Sequence, residues 1–323
     1  MAEPQLDERP RGESVTIKTD PTPQRITQSH QYRRLALVIF VLMLCYSKPL
    51  YDLVRFSLKS ELYSHIVLIP FVSGYLIWAR RNTVATVPSG ENGRVKGLNA
   101  SVKYAAIPTL FGVLALVTYQ LGLILAWPMK QTDHLALTVF SFVCFVIGAC
   151  FLFLNKTALR SMIFALAFLV FMVPFPSRLE DWIETFFQHT SAEAAYAMLR
   201  LSGMPVFQDG VRFKLPGVWI VVAPQCSGIH SSLVLFITSF LAGYLLLRSP
   251  WKRAALTLAV IPLAILRNGL RVFTISQLCV RISPDMLNSW IHHHGGPVFF
   301  LLSLIPFFLL LLLLRRSESD IKA

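Results

Sequence analysis

The chain has 323 residues, 54% of them hydrophobic, with a mean hydropathy of +0.58 and a formal net charge of +13. Hydrophobicity at that level excludes a soluble globular domain and fits a multi-pass membrane protein. Five scattered cysteines, with no CxxC spacing, give neither a disulfide framework nor a thiolate metal finger.

Residues 1–32 are polar, contain prolines and lack apolar periodicity, which predicts a disordered cytoplasmic tail. No cleavable signal peptide is evident, because the first apolar run begins only near Leu35. Hydrophobic runs then predict eight transmembrane helices, at about 34–53, 61–79, 103–126, 134–154, 157–175, 226–247, 253–276 and 297–314. The second and seventh are interrupted by polar residues. The expected fold is therefore an all-α polytopic membrane protein, one membrane unit over 33–316 followed by a short tail, 317–323. Lys and Arg cluster at Arg33-Arg34, Arg80-Arg81, Arg94 and Lys96, Arg248 with Lys252-Arg253, and Arg315-Arg316. Placing these on the cytoplasmic side puts both termini inside. The basic excess is thus a topology signal and not a nucleic-acid footprint.

The longest segment between spans, 176–225, falls outside. Within it Arg178 to Leu201 carries Trp182, Ile183, Phe186 and Phe187 at near-helical spacing, which predicts an amphipathic helix lying on the outer leaflet. Asp209-Gly210 is a tight-turn signal, and Val211, Phe213 and Leu215 alternate with Arg212 and Lys214. A small β-hairpin or meander is expected there, forming a ledge beside the next span. Pro216-Gly217 gives a second turn, a β-favouring run covers Trp219 to Val222, and Pro224 stops it.

Cys226 follows at once, at the first turn of the sixth span. Unpaired N–H groups and the positive dipole end at a helix start favour a thiolate, the nucleophilic form of cysteine. Ser227 and Gly228 are small and leave room for a substrate backbone. Burial as an inert thiol is the ordinary fate of cysteine in an apolar chain, and Cys45, Cys144, Cys150 and Cys279 are assigned to it.

With this topology four separate pieces of chain bring polar residues to the outer face: Cys226, Arg267 and Arg271 in the outer half of span seven, His292, His293 and His294 before span eight, and Tyr63, Ser64 and His65 at the start of span two. Such convergence predicts an active site. Arg267 and Arg271 share one helix face, with Asn268 beside them. A guanidinium within a span costs roughly 2.5–3.5 kcal/mol at its centre, so two on one face predict a polar cavity rather than lipid. They could stabilise an oxyanion or clamp a substrate carboxylate or carbonyl. The His triplet could be a solvated run, a metal tract, or the source of a base for Cys226. No HExxH and no carboxylate at ligand spacing support a hydrolytic zinc site, and no cofactor is expected. The spacing of His292 to Gly296 selects His292 for the base, with His65 and His230 as further candidates. A transporter or channel with a polar outer vestibule, or a non-catalytic assembly factor, are the competing classes. The transporter class calls for inverted repeats or acidic mid-membrane sites, and neither is present in the sequence.

The segments PQCSG, NGLRV and HHHGGPVFF resemble the three signature regions of the exosortase/archaeosortase family of membrane-embedded cysteine transpeptidases. YSHIVLIP, FMVPFP and LSGMPVFQDGVRFKLPG are also similar to exosortase sequence, and the resemblance runs from about Arg34 to Arg316. It implies Cys226 as nucleophile, Arg271 as the Arg of N-x-x-R and His292 as the third member. It further implies secreted protein substrates bearing a C-terminal signal (a short motif such as Pro-Glu-Pro, an apolar helix, a basic end). They would be cleaved and passed to an acceptor at the outer face of a prokaryotic cytoplasmic membrane. The pair before Cys226 reads Pro-Gln, where Glu-Ala is commoner in the family.

Overall fold

A chain in lipid must satisfy every backbone N–H and C=O internally, and the apolar runs accordingly fold as helices. The structure, a computed structural model, describes residues 23–80, 97–154, 156–223, 228–288 and 295–319. Cys226, Ser227 and His292 to His294 lie outside the described residues.

Helix α1 (Pro23–Cys45) opens with proline at its first position, where the missing N–H costs nothing. It therefore starts inside residues 1–32, the stretch whose composition predicts a disordered tail. A 69° bend leads to α2 (Ser47–Lys59). A 3₁₀ turn (Ser64–Val67) enters α3 (Leu68–Ala79), followed by α4 (Gly97–Ile124), α5 (Gln131–Phe153) and α6 (Lys156–Phe168). Then come α7 (Ser177–Leu201), strands β1 (Phe207–Asp209), β2 (Arg212–Leu215) and β3 (Val218–Val221), α8 (Ile229–Leu246), α9 (Pro250–Arg281) and α10 (Gly296–Ser319).

Each of the eight predicted spans contains helix, but they are not equivalent. Those at α4, α5, α8, α9 and α10 are long and apolar enough to cross a bilayer alone. The first and fifth reach that length only together with the helix that follows each bend, and the second, Ser64–Ala79, is a shorter apolar helix. The chain is thus an all-α polytopic membrane protein with five to seven spans by length and composition. Lipid-facing surfaces are apolar, as at Leu301, Ile305, Phe308, Leu309 and Leu312 of α10, all exposed.

Pro174 and Pro176 end the α6 run, and the chain turns by 89° into α7. The carboxylate of Asp133, at the start of α5, secures the new helix. Its two oxygens accept from the Ser177 backbone N–H at 2.6 Å and from the Ser177 hydroxyl at 2.9 Å. Such a charge-assisted cap is worth about 1.5–3 kcal/mol. We expect Asp133→Ala to lower the melting temperature of the detergent-solubilised protein, and Asp133→Asn, which keeps one acceptor, to lower it less.

Of the hairpin and the meander expected here, the structure has the meander, three antiparallel strands in the order β1-β2-β3. Pairing Asp209 with Arg212 leaves Gly210-Val211 as a two-residue loop, with Gly210 at φ +58°. Pairing Leu215 with Val218 leaves Pro216-Gly217, with proline first and glycine second at φ +77°, the type II pattern. Phe213, Leu215 and Ile220 alternate inward and bury against Ala192, Ala195 and Leu199 of α7 and Val272 and Ile275 of α9. The second turn is what lets Trp219 to Val221 join the sheet as a third strand.

Helices α7 and α9 approach closely at Gly269. A Cβ there would stand 2.8 Å from Ala194 Cβ and 3.3 Å from the Ala195 backbone nitrogen. Overpacking of this kind costs about 1–3 kcal/mol or more. Gly269→Val is expected to reduce the amount of protein recovered from the membrane, whereas Gly74→Val, at a position with nothing within 4 Å, should not.

Candidate active site

The sheet and α7 deliver the chain to the start of α8, and the two described ends of that connection are both held. Val222 closes the sheet: its N–H donates to Val211 O at 2.9 Å, and its carbonyl accepts from Gln188 Nε2 of α7 at 2.6 Å. At the far end Gly228 is the cap residue of α8, in the left-handed conformation at φ +70°. A side chain there would be strained and would also collide, its Cβ standing 2.8 Å from Arg267 Nη2 and 3.2 Å from Asn268 Oδ1.

Arg267 is the second clamp. Only 7% exposed, it donates from Nη2 to the Gly228 carbonyl and to Ser232 Oγ, each at 3.0 Å. The Ser232 hydroxyl in turn donates to the same carbonyl at 2.7 Å, closing a three-membered network between α8 and α9. This accounts for an arginine inside a membrane helix: the cost of its desolvation is offset by fixed oxygen acceptors. Asn268, 2% exposed, lies alongside. Among the described residues, Arg267 Nη1 and Asn268 Nδ2 are buried without a hydrogen-bond partner. Arg271 follows one turn later, partly exposed.

The residues expected at the start of span two divide. Tyr63 is 2% exposed, packs on Phe56 at 5.4 Å between ring centroids, and donates its hydroxyl to Glu180 Oε2 at 2.9 Å. It ties the entry of span two to α7. Ser64 is exposed and donates to Glu61 O within its own turn. His65 is partly buried and interacts electrostatically with His230 in the first turn of α8. Nδ1 of each is buried without a partner among the described residues. Spans two, six and seven therefore meet at one end of the bundle. Of the other cysteines, Cys144, Cys150 and Cys279 are buried, while Cys45 is exposed at the α1–α2 bend. Among the described residues no three His, Cys, Asp or Glu side chains gather as a metal site would require.

Sequence reasoning passed over Gln188, Ser232, Glu180 and Asp133. Ser232 had a visible signal, since it follows Gly228 by one helical turn in the polar run His230-Ser231-Ser232. Gln188 and Asp133 had none, because their partners are distant in sequence.

A family model described as transmembrane exosortase matches residues 57–309, more than half of the chain. No curated protein and no solved structure matches it.

Proposed function

The chain belongs to the transmembrane exosortase family, and from that premise we propose that it is a cysteine transpeptidase acting on secreted proteins at the outer face of a prokaryotic cytoplasmic membrane. The observation that carries this reading is that the match over 57–309 contains all three motif segments, with Cys226, Arg271 and His292. The clamps at Val222 and Gly228 support it, since a nucleophile needs a fixed backbone on either side.

In this reading the Cys226 thiolate attacks the carbonyl carbon of the scissile peptide bond, and the π electrons move to oxygen. Arg271 stabilises the resulting oxyanion. As the tetrahedral intermediate collapses, the C–N bond breaks and His292 protonates the leaving amine, leaving a Cys226 thioester. His292 then takes a proton from the acceptor nucleophile, which displaces the sulfur. His293 and His294 support His292, and Ser227 and Gly228 admit the substrate backbone. The substrates carry a C-terminal signal of motif, apolar helix and basic tail, and both termini of the enzyme are cytoplasmic.

The direct test is to co-express the chain with a secreted protein from the same genome that carries such a C-terminal signal. Loss of the signal from the precursor, dependent on the chain, is expected; an unchanged precursor favours the transporter or assembly-factor classes. The clamp makes its own prediction. Gln188→Met, of similar size but without a donor, should slow processing, whereas Gln188→Lys, which can still donate toward Val222 O, should retain more of it. Equal rates for the two variants would remove Gln188 from the account.

A further inference from the structure

Buried donors without acceptors are rare, and each costs about 1–3 kcal/mol, more when charged. Here two fall on adjacent residues of α9: Nη1 of Arg267 and Nδ2 of Asn268, on side chains 7% and 2% exposed, with no partner among the described residues. The same guanidinium is immobilised through its other terminal nitrogen, which holds Gly228 O and Ser232 Oγ. Nη1 is thereby fixed in direction without being used. Both side chains stand against Gly228, through Nη2 of Arg267 and Oδ1 of Asn268, and Gly228 is two residues from Cys226 in the sequence. An acceptor that arrives only with substrate would satisfy both donors.

We propose that Asn268 Nδ2 and Arg267 Nη1 form the fixed part of the acyl-oxygen site, receiving the oxygen of the carbonyl that Cys226 attacks. This rests on Cys226 being the nucleophile. Arg271, which is less buried, adds its charge as the oxyanion develops. A site of this kind is aligned before substrate binds and needs no reorganisation during the reaction, the condition under which such donors are most effective. Asn268 is then a catalytic residue. Arg267 is both a donor and the clamp that positions the loop.

The experiment compares two reactions of Cys226 in the full-length protein in detergent micelles, with adducts located by peptide mass spectrometry. p-Nitrophenyl acetate acylates sulfur through a tetrahedral oxyanion. Iodoacetamide alkylates it by displacement at a saturated carbon, where no oxyanion forms. Asn268→Leu and Asn268→Ser are expected to slow acetylation of Cys226 by on the order of 10²-fold while leaving alkylation nearly unchanged. Elution volume and helical circular dichroism check that the fold is retained, and the alkylation rate checks the thiolate itself. Parallel loss of both reactions would overturn the proposal, reducing Asn268 to a packing role, as would acetylation at the wild-type rate. If Cys226 of the wild-type protein takes up neither reagent, the nucleophile assignment fails first, and that outcome is distinct from either of the others.

Discussion

Replacing Cys226 with alanine or serine is expected to abolish processing of the cognate precursor while the protein stays in the membrane at near wild-type level. Neither side chain is larger than cysteine, so stability should change by less than about 1 kcal/mol. The chemical loss has no such cushion. A serine hydroxyl at neutral pH is a far weaker nucleophile than a thiolate. Precursor size on immunoblots, normalised to the amount of enzyme in membranes, reads the result. Full processing by Cys226→Ala would remove the acyl-enzyme from the account and leave the assembly-factor class standing.

The second large effect concerns the arginines of α9. Arg271→Lys keeps the charge and most of the stem, so a lipid anchor or topology signal would survive it. A guanidinium that stabilises an oxyanion would not, because a point-like ammonium lacks the planar fork of donors. Loss of one such donor typically lowers the rate on the order of 10²–10³-fold. Arg271→Lys is therefore expected to be nearly as slow as Arg271→Ala in precursor cleavage followed over time. Wild-type kinetics for Arg271→Lys would move the oxyanion role onto the Arg267 and Asn268 pair alone.

Helices were legible in the sequence because lipid leaves the backbone few alternatives and the apolar runs are long. The differences lie where the runs were short. Span two is a 3₁₀ turn plus a short helix, and spans one and five are long enough to cross a bilayer only when the helix beyond a sharp bend is included. The proline-rich Val173 to Pro176 announced one of those bends. The 69° turn after Cys45 had no glycine or proline at the break itself, although Pro49 follows closely. For the candidate site, the cost of polar residues in a span singled out Arg267, Asn268 and Arg271, and small size beside the cysteine singled out Gly228. The N-x-x-R resemblance, rather than helical spacing, ranked Arg271 ahead of Arg267. Helical spacing treats Arg267 and Arg271 alike, and only the contact with Gly228 and Ser232 shows which one is buried as a clamp. Tyr63, a polar residue two positions before His65, packs in the core and bonds Glu180 from α7. Contacts across 117 positions leave no periodic trace for a reader of sequence to follow.

The central claim is a covalent intermediate, and the most direct measurement is to isolate it. Membranes carrying the chain and its precursor, quenched in acid during turnover, should yield a species in which the precursor fragment upstream of the signal is joined to the enzyme. Tandem mass spectrometry should place the linkage on Cys226, and neutral hydroxylamine should release the fragment as its hydroxamate, as a thioester requires. The species should be absent from Cys226→Ser membranes, where precursor should accumulate uncut. Turnover of precursor with no hydroxylamine-sensitive adduct, or an adduct mapped to another residue, would contradict the account.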